Sequence, residues 1–264
     1  MDFEEIKKRI PEYTYISFFK RRSKYASVMP VLNEGQRFLD QLDKMKDKNI
    51  FNISDIFICD GGSSDSSSNS EIIKNYGCKG LITNTSNVKG HGTQLKQGYY
   101  EALKEGYDGI ITFDGNNKDN IEDTLKVFIQ KFDEGYDVIQ ATRFSMGGKG
   151  INTPLSRYLA IKFIASPLVS LCSGYYYTDP TNGYKAFSKR YMMDNRIDWF
   201  REEYYQYEYG YFPLVHAKKL GYKITQVPTI RKYPIGEVPS KIKGFNSNFK
   251  LLKQMLNSLF NKPK

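Results

Sequence analysis

The sequence is poor in the features that define several protein classes. It has only three cysteines, Cys59, Cys78 and Cys172, in 264 residues, and their spacing matches neither a zinc knuckle nor a disulfide framework. It has no run of about 18 apolar residues, and its first twenty residues are charged rather than apolar. We therefore expect a reducing, cytosolic compartment and neither export nor a membrane span.

Two phosphate-binding signatures are also missing. A nicotinamide dehydrogenase would carry G-x-G-x-x-G at the start of its first helix, and a sugar nucleotidyltransferase would carry a glycine-rich loop with Arg and Lys after its first strand. Here Pro30-Val-Leu-Asn-Glu34 stands at that place. The net charge of +10 predicts an anionic partner. The basic residues are dispersed and form no recognised nucleic-acid module, so we expect no nucleic acid among the partners.

Hydrophobic periodicity alternates between short strands and amphipathic helices, beginning with a strand at Tyr25–Met29 and a helix after Gly35. Further strands are predicted at 55–59, 80–83, 109–113 and 138–141. This rhythm predicts an α/β fold with a mostly parallel sheet flanked by helices. The later part is predicted to contain an apolar segment at 155–171 interrupted by Pro167, a helical region at 202–220 broken near Pro213, and a strand at 222–227. We divide the chain into a basic N-terminal extension (1–24), one α/β domain (25–240) and an amphipathic, basic C-terminal helix (241–264).

Polar residues follow four of the predicted strands, where doubly wound sheets bind their ligands. The four segments are Pro30-Val-Leu-Asn-Glu-Gly35, Asp60-Gly-Gly-Ser-Ser-Asp65, Asp114-Gly-Asn-Asn-Lys-Asp119 and Thr142-Arg143-Phe144. The Asp60 segment suits either a nucleoside site or a helix cap. Asp114 suits either a loop cap or a hard cation that meets a diphosphate. Each of these two segments alone is compatible with both of its interpretations.

Taken together and in order, these segments resemble the motifs of the family 2 glycosyltransferases. Asp179-Pro-Thr-Asn-Gly-Tyr-Lys-Ala-Phe187 and Gly221-Tyr-Lys-Ile-Thr-Gln-Val-Pro228 extend the resemblance toward the dolichol-phosphate mannosyltransferase branch. The resemblance implies a GT-A fold and a magnesium or manganese ion held by Asp114 and Asn116. It also implies a nucleotide-sugar site formed by Pro30, Asn33, Glu34, Asp60, Gly62, Ser63, Asp65, Asp114 and Gly115.

The same resemblance implies an inverting transfer of a sugar to a lipid-linked or surface-polysaccharide acceptor. The Q-x-x-R-W motif of processive synthases is missing, so a single transfer per acceptor is expected. Asp179 and Glu208 are the candidate catalytic carboxylates, although the first also suits a turn and the second a surface helix. Arg143, Arg231 and Lys241 are the candidate phosphate-binding residues, although a solvated basic loop would have the same composition.

Departures from the family pattern keep alternatives open. Asn116 replaces the second acid of the D-x-D metal motif, so Asp119 or a water would have to complete the site. That change also suits a catalytically silent nucleotide-binding protein, and the motifs do not exclude transfer of a non-sugar group from a cytidine nucleotide. The C-terminal helix either packs on the domain or makes a peripheral contact with the inner face of a membrane. His216 is interpreted as a structural residue and not as a metal ligand.

Overall fold

The computed structural model describes residues 2–65, 68–235, 253, 255–257, 259 and 260. The strands are β1 (Tyr13–Ser17), β2 (Tyr25–Val31), β3 (Asp55–Asp60), β4 (Gly80–Asn84), β5 (Gly109–Thr112), β6 (Val138–Thr142), β7 (Lys149–Ile151), β8 (Lys185–Ser188), β9 (Ile224–Pro228) and β10 (Ile230–Lys232). The helices are α1 (Phe3–Lys8), α2 (Gln36–Asp47), α3 (Ser70–Tyr76), α4 (His91–Lys104), α5 (Ile121–Asp133), α6 (Leu155–Ala160), α7 (Ser166–Ser173), α8 (Lys189–Met192) and α9 (Phe212–Ala217). Every strand predicted before residue 150 is confirmed within one or two residues.

One large sheet organises the described part of the chain, with the strand order β1-β4-β3-β2-β5-β8-β6-β9. The pairs β2·β3, β2·β5, β3·β4 and β6·β9 are parallel. β1 pairs antiparallel with β4, and β8 runs antiparallel between β5 and β6. The predicted mostly parallel sheet is therefore confirmed. Because β8 is reversed, it starts at the sheet edge where β5 and β6 end.

Hydrophobic side chains cover both faces of this sheet, as the alternating direction of strand side chains requires. Val28 belongs to one core, together with the buried faces of α4, α7 and α9, whereas its neighbour Met29 belongs to the other, with α2, α3 and α5. Two of the amphipathic helices predicted from the periodicity are confirmed, since the predicted core-facing residues are 7% exposed or less: Leu95, Tyr99, Ala102 and Leu103 in α4, and Ile121, Leu125, Phe128 and Phe132 in α5. The tyrosines between residues 175 and 211 include both buried and exposed side chains: Tyr177, Tyr204 and Tyr209 are buried, whereas Tyr176 and Tyr205 are exposed.

The C-terminal half departs most from the sequence prediction. Residues 202–207 form turns rather than a helix, and only Glu208–Gly210 (a 3-10 turn) and α9 are helical there. Pro213 lies in the first turn of α9, where its missing N–H costs no hydrogen bond. The proline therefore begins a helix that we had expected it to break.

The apolar segment after residue 154 is also more regular than predicted. α6, a π-turn at Ile161–Ala165 and α7 follow one another without a break, because Pro167 lies in the first turn of α7. The described residues thus include one helical run, Leu155–Ser173, that is long and apolar enough to cross a membrane, although we had expected none; 22% of it is buried inside the protein.

The two predicted appendages have different outcomes. β1, from the segment that we had separated as an extension, forms the edge strand of the main sheet, and Ile6 and Ile10 pack into its core. Most of the predicted C-terminal helix lies outside the described residues. Of its described positions, Met255 and Leu259 are buried in the core that α4, α7 and α9 share.

Candidate active site

Hydrogen bonds tie together the loops that follow β2 and β3. Asn33, whose backbone is left-handed at φ 49°, accepts hydrogen bonds at Oδ1 from the backbone N–H groups of Ser64 (2.8 Å) and Asp65 (3.4 Å). Asp65 Oδ2 in turn accepts a hydrogen bond from the backbone N–H of Gly35 (2.9 Å). Asparagine adopts the left-handed region more readily than most other residues. The predicted nucleotide-binding residues Asn33 and Asp65 therefore belong to one connected rim.

Asp60 organises the second of these loops from a buried position. Its Oδ1 accepts hydrogen bonds from the Ser63 backbone N–H (2.9 Å) and hydroxyl (2.6 Å), and its Oδ2 accepts one from Ser68 Oγ (3.1 Å). A Cβ on Gly62 would lie 3.2 Å from Lys89 Nζ, and the φ of this glycine is 89°. Gly62 thus lets the loop turn tightly while an ammonium group approaches it. Sequence analysis did not single out Lys89.

Asp114 follows β5, and cationic or polar side chains from its own loop and from two other segments meet it. His91 Nε2, at the start of α4, lies 3.4 Å from Asp114 Oδ1. Arg231 Nη2 and Asn116 Nδ2 each lie 3.3 Å from Oδ2. Burial would raise the pKa of Asp114, but the hydrogen bond with His91 and the charge of Arg231 outweigh it and hold that pKa well below its usual range. Asp114 is therefore ionised at neutral pH.

The segment before β8 also packs directly on Asp114. A Cβ on Gly183 would lie 3.3 Å from Asp114 Oδ1, so glycine at this position gives the carboxylate room. This approach follows from the reversed direction of β8, which begins beside the end of β5. The Asp114 motif and the Asp179–Phe187 motif, which are far apart in the sequence, therefore meet at one place.

The residues around Asp114 fit a divalent cation that a bound diphosphate helps to hold. Asn116 Oδ1 and Asp119 Oδ1 are buried without a hydrogen-bond partner, and oxygen ligands suit magnesium and manganese. Among the described residues, no three His, Cys, Asp or Glu side chains are grouped so that they could bind a metal by themselves. Magnesium sites commonly combine one or two carboxylates with substrate phosphates. A divalent cation at this site would therefore need oxygen ligands from a bound nucleotide as well as from the protein.

Arg231 is held rigidly beside this carboxylate. Its Nη1 donates a hydrogen bond to Asp119, whose side chain is fully buried. Burial would lower the pKa of Arg231, but the charges of Asp119 and Asp114 outweigh it and raise that pKa. Burial raises the pKa of Asp119 to about 6. Asp119, which we had considered as a substitute metal ligand, thus pairs with Arg231 through Oδ2, while its Oδ1 has no hydrogen-bond partner among the described residues.

A cluster of basic residues surrounds the Tyr233 hydroxyl next to Arg231. Arg143 Nη1 (3.0 Å) and Arg157 Nη1 (3.3 Å) both donate hydrogen bonds to that hydroxyl. Burial would raise the pKa of Tyr233, but the charges of Arg231, Arg143 and Arg157 outweigh it and lower that pKa. Lys118 Nζ lies 5.8 Å from the centre of the tyrosine ring. The predicted phosphate-binding residues Arg143 and Arg231 therefore both lie against one aromatic side chain.

Asp179 is committed to an ion pair in the interior. Its two carboxylate oxygens accept hydrogen bonds from Arg143 Nε (2.6 Å), Arg143 Nη2 (2.8 Å), the Arg143 backbone N–H (3.2 Å) and Thr181 Oγ1 (3.0 Å). The side chains of Asp179 and Arg143 are 0% and 2% exposed. A carboxylate with four donors and no exposed surface is poorly placed to take a proton from a substrate. The geometry suits positioning of Arg143 better than the predicted catalytic role.

Glu208 lies in a turn that packs on the start of α4. A Cβ on Gly90 would overlap the carbonyl oxygen of Tyr205 at 1.9 Å, so glycine permits this close approach. The ring of Tyr207 stacks on His91 with ring centres 5.8 Å apart. Burial raises the pKa of Glu208, and a raised pKa suits a general base. Of the two predicted catalytic carboxylates, Glu208 is therefore the one whose neighbours belong to the Asp114 site.

Sequence analysis missed four residues that the fold brings to this region: His91, Lys118, Arg157 and Tyr233. His91 could have been found, since it stands between two glycines in the loop that follows the predicted strand 80–83. His216 is 3% exposed and packs on Phe212, as expected of a structural histidine. Lys241, the third predicted phosphate-binding residue, lies outside the described residues.

Comparison with known proteins identifies the class to which this fold and site belong. The family model described as glycosyl transferase family 2 matches residues 27–204, which is more than half of the chain. The chain belongs to glycosyl transferase family 2, and it is a nucleotide-sugar glycosyltransferase. A search of curated protein sequences gave no significant match.

Solved structures show the same fold at low sequence identity. Glucosyl-3-phosphoglycerate synthase from Mycobacterium tuberculosis, in complex with Mn²⁺, UDP and glucosyl-3-phosphoglycerate, aligns with a TM-score of 0.61 and 14% identity over 100% of this chain and 86% of that chain. The same synthase with Mn²⁺, UDP-glucose and phosphoglyceric acid aligns with a TM-score of 0.58 and 13% identity over 97% and 82%. A further mycobacterial protein gives 0.62 and 13% over 97% and 77%. The predicted GT-A fold is confirmed, and structural neighbours bind a divalent cation together with UDP.

Proposed function

We propose that the chain transfers one sugar, with inversion, from a uridine diphosphate sugar to an acceptor that carries a phosphate. Family membership supports the reaction class, and the UDP and UDP-glucose complexes of the structural neighbours support the donor. The observation that supports a phosphate-bearing acceptor is the basic cluster around Tyr233. Arg231 contacts Asp114, and the neighbouring Tyr233 hydroxyl accepts hydrogen bonds from Arg143 and Arg157. The cluster therefore adds two guanidinium groups to the one that is proposed to bind the diphosphate.

The rim formed by Asn33, Asp60 and Asp65 is proposed to hold the nucleoside. Its hydrogen bonds fix the two loops before any ligand binds, which lowers the entropy lost on binding. Pro30, Glu34, Gly62, Ser63 and Gly115 remain predictions for the same site. Glu34 is paired with Arg37 at 3.1 Å.

The leaving nucleoside diphosphate needs positive charge at its bridging oxygen. Arg231 supplies a permanent charge there, and Asp119 fixes its direction. His91 Nε2 lies at the other oxygen of Asp114, 3.4 Å from Oδ1. Asp114 and Asn116, with His91, would hold a divalent cation, which would neutralise the charge that develops on the diphosphate.

The acceptor attacks the anomeric carbon from the side opposite the diphosphate. If the nucleophile is a phosphate oxygen, it is already anionic and needs only positioning by Arg143 and Arg157. If the nucleophile is a hydroxyl beside the phosphate, Glu208 would accept its proton, because burial raises the pKa of this carboxyl toward that of a useful base. Both cases use the same phosphate site.

The test combines a donor panel with an acceptor panel. Purified protein is given UDP-, GDP-, CDP- and dTDP-sugars, with manganese or magnesium, and either 3-phosphoglycerate or a polyprenyl phosphate as acceptor; nucleotide release and product mass are followed. Arg157→Gln should raise the acceptor KM at least about tenfold without changing the donor KM, whereas Arg196→Gln, at an exposed ion pair with Asp194, should change neither. The proposal fails if no nucleotide sugar reacts, or if Arg157→Gln leaves the acceptor KM unchanged.

The comparison of the two acceptors tests whether the protein belongs to the predicted branch. Transfer to the polyprenyl phosphate would support the dolichol-phosphate mannosyltransferase branch that the Asp179–Phe187 segment resembles. Transfer only to the soluble phosphate would contradict that branch while leaving the proposed phosphate site intact.

A further inference from the structure

The helical run Leu155–Ser173 presents a stripe of large apolar side chains to solvent. Leu155, Leu159, Phe163 and Leu171 are between 42% and 82% exposed. Ile161, Ala165, Val169 and Ser173, on the opposite side, are buried. The run therefore has two apolar faces, of which the protein covers one.

The π-turn at Ile161–Ala165 keeps the exposed stripe straight. In an uninterrupted α-helix, side chains four residues apart drift around the axis by about 40° at each step. A π-turn holds more residues per turn and rotates the following residues back. This rotation offsets part of the drift, and Phe163 and Leu171 are exposed as Leu155 and Leu159 are.

The charge around this stripe has one sign. No Asp or Glu occurs between Asp137 and Asp179, whereas Lys149, Arg157 and Lys162 do; Arg143 is also in this segment, but it is buried in its ion pair with Asp179. Lys162 is exposed within the run itself. A second copy of the chain that met this face about a two-fold axis would bring identical cationic residues together, which disfavours self-association. An anionic surface would match both the apolar stripe and the charge.

We propose that the Leu155–Ser173 face docks on an anionic phospholipid surface. The run lies along the membrane and does not cross it, because its other face is packed in the protein core and its ends lead into β7 and β8. An apolar stripe edged by lysine and arginine is the composition of helices that lie in the interfacial plane. Lys162 would keep its ammonium group among the headgroups while its carbon chain lies with the apolar stripe.

This docking has a consequence for the active site, which rests on the proposed function. Arg157 lies on the same helical run, and its guanidinium reaches the Tyr233 hydroxyl. A membrane against the stripe would therefore lie next to the basic cluster proposed to bind the acceptor phosphate. A lipid-borne phosphate could reach the cluster without leaving the bilayer.

Vesicle flotation tests the docking without any catalytic readout. The full chain is mixed with vesicles of phosphatidylcholine alone or of phosphatidylcholine with phosphatidylglycerol, and the floating fraction is measured at low and high salt. The test variant carries Leu159→Gln, Phe163→Gln and Leu171→Gln. The matched control carries Ile16→Gln and Val88→Gln, which change apolar side chains of comparable exposure (47% and 43%) elsewhere on the surface.

We expect the protein and the control to float with the anionic vesicles at low salt, and the triple variant to partition at least about tenfold less. Flotation that is absent, is equal with neutral vesicles, or survives in the triple variant would overturn the proposal. So would a lipid-free dimer that the triple variant abolishes, or a large loss of thermal stability in that variant, since the face would then be covered by protein. Nucleotide release from the donor, measured in the same samples, keeps a failure of docking distinct from a failure of the proposed reaction.

Discussion

The buried ion pair between Arg143 and Asp179 gives the sharpest test of how the site works. Asp179→Asn keeps the size of the side chain but removes its charge, and it leaves the Arg143 guanidinium uncompensated in a position that is 2% exposed. Removing one partner of a buried pair typically costs about 3–5 kcal/mol, because the other charge remains buried. Three of the four donors to this carboxylate come from Arg143, which favours the upper part of that range.

The free energy of unfolding is measured by urea denaturation, and the melting temperature is expected to fall by roughly 10 °C. Glu134→Gln, which breaks the partly exposed pair with Lys131, is the matched control and should leave stability nearly unchanged. In a double-mutant cycle with Arg143→Gln, the two losses should be strongly non-additive, because both variants break the same contact.

The kinetic result separates the two roles that Asp179 could have. If Asp179 positions Arg143, Asp179→Asn and Arg143→Gln should both raise the acceptor KM, and both should destabilise the protein. If Asp179→Asn abolishes transfer while its unfolding free energy stays within about 0.5 kcal/mol of the parent, Asp179 acts on the substrate and the positioning argument is refuted.

Three further variants test other parts of the site. His91→Phe keeps a ring against Tyr207 but removes Nε2, so the manganese concentration required for UDP binding should rise roughly tenfold in calorimetric titrations; an unchanged manganese dependence would contradict the assignment. Glu208→Gln should lower kcat at least about a hundredfold with a hydroxyl acceptor and little with a phosphate nucleophile, and an equal loss with both would argue against the base role. Burial lowers the pKa of Lys185 from 10.5 to about 7, so the folded protein holds fewer protons than the unfolded chain between those pH values, and stability from this residue should increase as pH rises through that window. Lys185→Met should remove that increase in the pH dependence of urea unfolding, and the proposed shift is wrong if the parent and the variant show the same pH dependence.

Sequence reasoning succeeded where one local signal decides the structure. Parallel strands buried on both faces appear as short apolar runs, and turn residues mark their ends, so Asp60 and Asp114 could be placed at strand ends directly from the pattern. The apolar faces of α4 and α5 could likewise be predicted from the helical periodicity of the sequence. In each case the periodicity extends over enough residues to outweigh the preference of any single one.

It failed where the meaning of a residue depends on distant parts of the chain. Pro167 and Pro213 were interpreted as interruptions. Pro213 lies in the first turn of α9, where its missing N–H costs no hydrogen bond, whereas Pro167 lies two residues after the π-turn inside a continuous helical run. The pairing of Asp179 with Arg143 could not be seen locally either, because the two residues are 36 positions apart; the catalytic role of Asp179 stays a prediction. Arg157 and Tyr233 could not be linked from the sequence, since 76 residues separate them (233 − 157) and their contact depends on the path of the chain between β7 and β10.

The reversed strand β8 also determines when the protein can become active during its synthesis. β5 lies next to β8 in the sheet although residues 113–184 separate them in the chain, and β6 must then pair with both β8 and β9. The nucleotide-binding loops can therefore form early, but Asp114 acquires Gly183 and Arg231 only after the segments that carry these two residues have left the ribosome. Such long-range pairing slows folding. A nascent chain would accordingly present β5 as an open sheet edge, the kind of surface that other strands join, until β8 has been synthesised.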